Sequence, residues 1–176
     1  GWPGITEDKA SGDLKKQITN KLKDERCHPI FLSAKDFRNF YYGFCNKTIW
    51  PLFHYFPLFT VYEDRYWQAY KKVNEAFCEK VMKIADSDDY IWIHDYQLML
   101  LPELIRQKLP SAKIGFFLHI PFPSFEMFRL LPWRKELLNG LLGADLIGFH
   151  TYDYVRHFLS STARITATEH SMGALA

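Results

Sequence analysis

The second half of the chain alternates short apolar runs with segments of helical spacing. The apolar runs, each ending on polar side chains, cover residues 90–93, 113–118 and 144–149. Short apolar runs with polar boundaries predict buried strands. Helical spacing follows each run, over residues 97–106, 126–142 and 152–160. Strands that alternate with helices in this way predict an α/β fold built on a parallel sheet with right-handed crossovers.

A polar side chain follows each predicted strand. Asp95, His119 and His150 come at the carboxyl ends of the first, second and third strand. These ends meet at one edge of a parallel sheet, which is where ligands bind in open α/β folds. A buried core alone does not require this coincidence, so the edge is the candidate site. For Asp95 an alternative stays open, because a strand-end carboxylate can instead cap the following helix through its backbone N–H groups.

The first half of the chain is predicted to add three helices and one more strand. The expected elements are a loop over residues 1–13, an amphipathic helix over 14–26, a strand over 29–32 and a long helix over 63–84. Ser33 and Asp36 have the spacing of a capping box, which predicts that a helix begins just after Ser33.

Aromatic residues are densest between residues 37 and 70. Most of these rings are expected in the core. Residues 41–55 differ, because their rings are mixed with Asn46, Lys47 and His54 instead of lying on one helical face. Rings with polar edges suit a sugar, whose C–H faces stack while its hydroxyls form hydrogen bonds. Core packing and sugar binding therefore both stay open for this segment.

Composition argues against several classes of function. The chain has 176 residues, 48% of them hydrophobic and 24% charged, which is typical of one soluble domain. Its formal net charge of +2 is too small to indicate binding to nucleic acid or to a membrane surface. No run reaches the roughly 18 apolar residues of a transmembrane helix, and no signal peptide is expected. The three cysteines lack Cys-x-x-Cys spacing, which favours reduced thiols in a cytoplasmic protein.

Motifs for several familiar chemistries are missing from the sequence. The chain has no GxGxxG, Walker A, GxSxG or HExxH motif. His150 and His157 could share a helical face, but a metal site would need a third ligand. Asp95 has no partner carboxylate nearby in sequence, which argues against a two-carboxylate glycosidase and against a receiver-type domain. Neither a metal nor a cofactor is therefore predicted.

Four segments of the chain resemble the trehalose-6-phosphate synthase family. They have the sequences NKTIWPLFHY at residues 46–55, WIHDYQLM at 92–99, IGFFLHIPFP at 114–123 and LLGADLIGFHTY at 141–152. The segments occur in unbroken order, and the likeness extends over residues 30–162. Four long motifs at coherent spacing make the resemblance specific.

The resemblance implies a fold and an activity. That family has two Rossmann-like lobes of the GT-B type, each with a parallel sheet and helices on both faces. It transfers glucose from UDP-glucose to glucose 6-phosphate with retention of configuration and without a metal or other cofactor. Glucose 6-phosphate and UDP-glucose are therefore the implied partners. The complete enzyme is expected in the cytoplasm, and whether it forms a homo-oligomer is left open.

The resemblance also implies that the chain is a fragment. Residues 1–176 would form an incomplete N-terminal, acceptor-binding lobe, and the C-terminal nucleotide-sugar lobe would be absent. The chain begins on Gly1 without an initiator methionine, in agreement with this expectation. A chain with half of the cleft is expected to have little or no transferase activity alone.

Individual residues receive roles from the same resemblance. Tyr41 and Asp95 fall on positions that bind the acceptor sugar. Trp50 and His119 fall on positions that shape the acceptor's anomeric end and the reacting centre, with the Ile120 backbone beside them. Asp95 and His119 are the implied catalytic residues, and all five are implied substrate-binding residues.

Two alternatives to this activity remain open. One is a related glycosyltransferase that uses another acceptor, such as a glycerol phosphate, since the motifs could be shared. The other is a synthase-like module that binds sugar phosphate without catalysis, as a sensor or a subunit partner. An assay of the full-length protein with several acceptors separates these hypotheses.

Overall fold

A three-stranded parallel sheet forms the framework of the computed structural model, which describes residues 7–167, 170–171 and 174–175. Its strands, in spatial order, are β1 (Tyr90–His94), β2 (Lys113–Phe117) and β3 (Leu146–Gly148). Both strand pairs are parallel, so the predicted α/β fold with a parallel sheet is confirmed. A separate antiparallel pair consists of β4 (His170–Ser171) and β5 (Ala174–Leu175).

Helices connect the strands and make up most of the remaining described chain. The α-helices are α1 (Gly12–Asp24), α2 (Ala34–Phe37), α3 (Trp50–Phe53), α4 (Asp64–Val81), α5 (Leu101–Lys108), α6 (Phe125–Phe128), α7 (Arg134–Leu142) and α8 (Tyr152–Thr166). A 12-residue π-helix, Arg38–Ile49, connects α2 to α3. Short 3₁₀-helices occupy Glu7–Lys9, Pro57–Phe59 and Tyr96–Leu98. No helix in the described part of the chain combines the length and apolar character needed to cross a membrane.

The π-helix is the element that the sequence pattern does not predict. It buries Phe40, Phe44 and Ile49 in the core. Its Gly43 lies directly against α4, because a Cβ at that position would meet the Tyr66 ring at 2.5 Å. Helices of this type are rare, usually span a single turn, and are frequently found at functional sites. The close approach of Gly43 fixes how the π-helix sits beside α4.

Several predicted elements agree with the structure to within a few residues. The helices expected over 14–26 and 63–84 are α1 and α4, and the one over 152–160 is α8, which continues further. Residues 1–6 of the predicted loop lie outside the described residues, and α1 already begins within its end. The capped helix start is confirmed, because the Asp36 N–H donates to Ser33 Oγ at 3.0 Å.

Two predicted elements are wrong. Residues 29–32 form no strand: Leu32 accepts one backbone hydrogen bond from Glu7 at 2.8 Å, but the segment does not join the sheet. Without a neighbouring strand, an extended run cannot pair its backbone groups in a ladder. The helix expected over 126–142 is split into α6 and α7. Pro132 explains the break, because proline has no N–H and its ring clashes with the preceding helical turn.

The two faces of the sheet have different surroundings. Ile93, Ile114 and Phe116 on one face belong to the buried core that also includes apolar residues of α5 and α7. On the opposite face, Tyr90 is 81% and Trp92 is 52% exposed. Within the described residues, helices therefore cover one face of the sheet, while helices on both faces were expected.

Arg106 near the end of α5 ties that helix to the start of β3. Its guanidinium donates hydrogen bonds to the Asp145 carboxylate at 2.7 Å and to the Gly143 carbonyl at 3.1 Å. It also donates to the carbonyls of Pro110 at 2.7 Å and Ala112 at 2.8 Å. One side chain thus satisfies backbone acceptors on both sides of β2.

We expect Arg106→Met to lower the free energy of unfolding by about 2–3 kcal/mol, because it leaves three backbone carbonyls without this donor and takes one charged donor from the Asp145 carboxylate, which keeps the Ile114 N–H. Denaturant unfolding of the full-length protein measures this change. Arg129→Met is the matched control, since Arg129 makes an exposed pair with Glu126 at 3.4 Å that should contribute less than about 0.5 kcal/mol. Equal effects of the two substitutions would contradict the assigned role.

Candidate functional site

The three polar residues after the strands lie together at the carboxyl edge of the sheet. The His119 N–H donates to Asp95 Oδ1 at 3.0 Å, which joins the ends of β1 and β2 directly. The rings of His119 and His150 have centroids 5.7 Å apart, edge to face. The edge therefore combines one carboxylate with imidazoles from neighbouring strand ends, as the sequence pattern predicted.

Asp95 has a strained backbone. Its φ of 74° and ψ of 169° lie in a region that is essentially reserved for glycine. Three hydrogen bonds hold it there: the Asp95 N–H donates to the Phe117 carbonyl at 2.8 Å, the Leu98 N–H donates to the Asp95 carbonyl at 3.1 Å, and the carboxylate accepts from His119. Such strain costs about 1–3 kcal/mol and clusters at functional sites. The strained residue is the one that carries the site's carboxylate.

The helix-cap alternative for Asp95 is wrong. The Asp95 side chain makes no capping hydrogen bond to the 3₁₀-helix Tyr96–Leu98 that follows it. Its carboxylate instead faces the loop after β2, where it accepts from the backbone of His119. A carboxylate bound by a single backbone donor keeps free acceptor positions for a ligand.

The buried Tyr70 side chain of α4 hydrogen-bonds to the turn that follows Asp95. The Tyr70 hydroxyl donates to the Tyr96 carbonyl at 2.8 Å and accepts from the Met99 N–H at 2.9 Å. Burial raises the pKa of this phenol well above its usual range, so it stays protonated and able to donate. The Asn74 amide adds a hydrogen bond to the Gln97 carbonyl at 3.1 Å. Helix α4 thereby fixes the chain that leaves β1.

The π-helix covers the same edge from the other side. The Tyr96 hydroxyl donates to Asn46 Oδ1 at 3.2 Å. Burial raises the pKa of the Tyr96 phenol, and the nearby Cys45, Asp95 and Tyr41 raise it further. These side chains therefore share one neighbourhood. Burial, followed by the charge of Asp95, also raises the pKa of the Cys45 thiol well above its usual range, which keeps this thiol unreactive.

Trp50 is connected to the site less directly. Its ring is 43% exposed and stacks on the His54 ring at a centroid distance of 4.1 Å. The Tyr55 hydroxyl accepts from the Ser124 N–H at 2.9 Å, which fastens this segment to the loop after β2. That loop contains His119 and Ile120. The side chain of Ile120 is buried.

The five residues implied by the resemblance thus fall into two groups. Asp95 and His119 are in direct contact, and Ile120 follows in the same loop. Tyr41 and Trp50 lie on the segment that approaches this edge. That segment is joined to the edge by the Tyr96–Asn46 and Tyr55–Ser124 hydrogen bonds, in which neither side chain takes part.

Sequence reasoning missed His94 as a member of the site. His94 Nδ1 lies 2.9 Å from His119 Nε2, and the two rings stack with centroids 5.1 Å apart. A hydrogen bond between two imidazoles needs one ring to donate and the other to accept, so His94 orients the His119 ring. The signal available in the sequence was the His94-Asp95 pair at the end of β1. Neighbouring side chains alternate along a strand, so His94 and Asp95 leave β1 on different sides, and both contact His119.

The histidines at this edge are part of no metal-binding arrangement of side chains within the described residues. Among the described residues, no group of three or more histidine, cysteine, aspartate or glutamate side chains could hold a metal ion. The chemistry of the edge is that of hydrogen bonding, with an ionisable acceptor on Asp95 and ring nitrogens on His94, His119 and His150. Such groups suit the hydroxyls of a sugar.

A family model matches nearly the whole chain. The model described as glycosyltransferase family 20 matches residues 1–174. The chain belongs to glycosyltransferase family 20. The match includes every residue of the strand-end site, and the resemblance found in the sequence is therefore confirmed at the level of the family.

Relatives and solved structures of similar proteins agree with this assignment. The chain is 52% identical over 169 residues to the alpha,alpha-trehalose-phosphate synthase [UDP-forming] A of Dictyostelium discoideum, with 96% of this chain and 23% of that protein covered. The structure of the Candida albicans trehalose-6-phosphate phosphatase N-terminal domain matches with a TM-score of 0.82 and 39% identity, over 94% of this chain and 37% of that one.

A third comparison includes a bound sugar phosphate. An alpha,alpha-trehalose-phosphate synthase (UDP-forming) from Burkholderia xenovorans, in complex with glucose-6-phosphate, matches with a TM-score of 0.76 and 31% identity. The match covers 82% of this family-20 chain and 34% of that protein. The chain thus spans between about a quarter and two fifths of the length of these relatives.

Proposed function

We propose that the full-length protein transfers glucose from UDP-glucose to glucose 6-phosphate, giving trehalose 6-phosphate, and that this chain is an N-terminal lobe that supplies the acceptor half of the site. The observation that carries the proposal is the contact between Asp95 and His119, with Asp95 held in a strained backbone conformation. The family assignment and the glucose-6-phosphate complex of a similar protein support it.

The proposed roles follow from the chemistry of each group. An ionised Asp95 accepts hydrogen bonds from sugar hydroxyls, which are stronger than hydrogen bonds between neutral groups. His119, oriented by His94, hydrogen-bonds a donor or acceptor hydroxyl. Tyr41 donates its phenol to the acceptor phosphate, and Trp50 forms a wall at the anomeric end beside the Ile120 backbone.

The proposed mechanism retains configuration without a protein nucleophile. Donor and acceptor sugars lie face to face, and an oxygen of the leaving diphosphate accepts the proton of the attacking hydroxyl as the glycosidic bond to UDP breaks. The lobe then contributes positioning and electrostatic stabilisation. The proposed transfer calls for neither a metal nor a cofactor. We also propose a cytoplasmic location, and leave a homo-oligomer of the full-length protein as a hypothesis.

An assay of the full-length protein with defined substrates tests the proposal. Purified protein is incubated with UDP-glucose and glucose 6-phosphate, and both UDP and the disaccharide phosphate are quantified. We expect equal amounts of both products, and none when either substrate is omitted. Glycerol 3-phosphate is the alternative acceptor, and a higher kcat/KM for it would replace the proposal with the related transferase.

A second candidate function is a sugar-phosphate-binding module without catalysis. It is favoured by one observation, since the Candida albicans domain with the same fold occurs in a protein named a phosphatase. Calorimetry separates the two candidates. Binding of glucose 6-phosphate by the full-length protein with no release of UDP would favour the module and contradict the transferase.

A further inference from the structure

A pocket lies on the π-helix. It is next to the strand-end site but separate from it. It has a volume of about 530 Å³ and lies between the π-helix and the start of α4. Its lining residues are Lys35, Arg38, Asn39, Tyr42, Gly43, Lys47, Arg65 and Tyr66. A volume in this range fits a small organic ligand. None of Asp95, His94, His119 and His150 lines it.

The lining of this pocket is cationic. Lys35, Arg38, Lys47 and Arg65 bring four positive charges, and no carboxylate is among the lining residues. Within the described residues, only Arg65 of these four makes an ion pair, to Glu63 at 3.5 Å. That pair is exposed, so it neutralises little of the field. Several unpaired cations around one concavity attract an anionic ligand.

The Asp36 carboxylate, just before the π-helix, offsets little of these charges. It accepts from Lys72 Nζ at 2.6 Å and from Ser33 Oγ at 2.8 Å. Although partial burial acts in the opposite direction, these bonds and the charges of Lys72 and Lys35 keep the pKa of Asp36 below its usual value. Lys72, which lies outside the pocket lining, is its main cationic partner, and Lys35 interacts with it more weakly.

Aromatic rings form the remaining walls. Tyr42 is 55% exposed and presents its ring to the pocket, while the Tyr66 ring is buried against Gly43. The Arg65 guanidinium lies over the Tyr66 ring at 5.1 Å from its centroid, which holds this cation near the pocket. Cations beside an exposed phenol ring suit a ligand that has both an anionic group and a ring.

We propose that this pocket is a second binding site, for a small organic phosphate whose phosphate contacts Arg38 and Lys47 and whose ring packs against Tyr42. Phosphate is the anion best matched to a combination of an arginine fork and lysine point charges. The Tyr42 ring lies 5.5 Å from the ring of Tyr41. The second site is therefore adjacent to the proposed acceptor site, although no side chain of the Asp95 edge lines it.

Calorimetric titration of the full-length protein with phenyl phosphate and with inorganic phosphate tests the proposal. We expect both probes to bind, and phenyl phosphate to bind about 3–10-fold more tightly because its ring packs on Tyr42. Tyr42→Ala should abolish the difference between the probes. Equal affinities for the two probes in the unsubstituted protein would show that the ring of the ligand does not pack on Tyr42 and would overturn that part of the proposal.

Paired charge substitutions test the phosphate contacts. Arg38→Gln with Lys47→Gln should weaken phenyl phosphate binding at least about tenfold, because two charge-assisted contacts are lost. Lys21→Gln with Lys23→Gln on α1 is the matched control and should change the affinity less than twofold. Circular dichroism verifies that each protein is folded, and Arg38→Lys with Lys47→Arg should restore binding if the charges are responsible. Equal losses in the test and control pairs, or unchanged binding in the test pair, would overturn the proposal.

A further variant separates this site from the proposed acceptor site. Tyr41→Phe, which removes the phenol proposed to bind the acceptor phosphate but keeps the ring beside Tyr42, should leave phenyl phosphate affinity within twofold of the unsubstituted protein. A loss of binding in Tyr41→Phe would assign the probe to the proposed acceptor site and overturn the second site. Failure of the transferase assay, in contrast, leaves this titration unaffected, since the pocket residues take no part in the proposed reaction.

Discussion

Asp95→Asn should lower the turnover of the full-length protein by about 10²–10³-fold while leaving its fold intact. Asparagine keeps an oxygen that can accept from the His119 N–H, so the contact between the ends of β1 and β2 survives. It loses the negative charge, and each charge-assisted hydrogen bond to a sugar hydroxyl is worth about 1.5–3 kcal/mol. Loss of two such bonds at the lower end of this range, about 3–4 kcal/mol together, gives the expected loss, since about 1.4 kcal/mol is a factor of ten in rate.

Steady-state kinetics of UDP release, together with thermal unfolding, measure this effect. Asp88→Asn is the matched control, because Asp88 lies in the exposed turn before β1 and should leave turnover unchanged. Turnover of Asp95→Asn within a few-fold of the unsubstituted protein would reject the role proposed for the carboxylate. A large loss of thermal stability would instead indicate that the residue is structural.

The strained backbone of Asp95 allows a further test of the same role. Glycine adopts a φ of 74° and ψ of 169° without strain, so Asp95→Gly recovers about 1–3 kcal/mol. It loses the hydrogen bond from His119, worth about 1.5–3 kcal/mol because its acceptor is charged, and it adds entropy to the unfolded chain. The free energy of unfolding should therefore fall by no more than about 2 kcal/mol, while activity is lost. Stability and function then depend on different properties of one residue.

Tyr70→Phe should lower the free energy of unfolding by about 2–4 kcal/mol, the largest stability effect expected in this chain from removing one atom. The hydroxyl has two backbone partners in the core, the Tyr96 carbonyl and the Met99 N–H. Both are left buried and unpaired when it is removed, and each unpaired group costs about 1–3 kcal/mol.

Denaturant unfolding of the full-length protein measures this loss of stability, which should lower the midpoint and leave the m-value unchanged. Tyr152→Phe is the matched control, because Tyr152 is 76% exposed and should have no measurable effect. We also expect Tyr70→Phe to reduce turnover, since the turn that it supports follows Asp95 directly. A stability change below about 0.5 kcal/mol would show that water or a shifted backbone replaces the hydroxyl.

The local pattern of the sequence determined the three strands of the parallel sheet and the position of the candidate site, although it also predicted a strand over residues 29–32 that does not form. β1 and β2 end within a residue of the predicted boundaries, because an apolar run followed by His94-Asp95 or His119 leaves little freedom in where burial stops. Parallel strands bring their carboxyl ends to one edge, so the proximity of Asp95 and His119 followed from strand order alone. The family resemblance rested on the same segments.

Features that depend on partners distant in sequence could not be predicted from the pattern. The π-helix needs Gly43 to approach Tyr66. The split between α6 and α7 is different, because Pro132 signals it locally and the prediction over 126–142 rested on helical spacing instead. The strained conformation of Asp95 exists because Phe117 and His119 hold it, and both come from the next strand and its loop.

The sequence by itself thus determined the α/β class, the order of the main elements and the two residues at the centre of the site. Only the tertiary structure decided which groups orient those residues, namely His94 beside His119 and Tyr70 below the turn. It also decided that Lys35, Arg38, Lys47 and Arg65 surround one pocket. The physical reason is that hydrophobic periodicity encodes what is buried, whereas hydrogen-bond partners and clusters of charge depend on how separate segments pack.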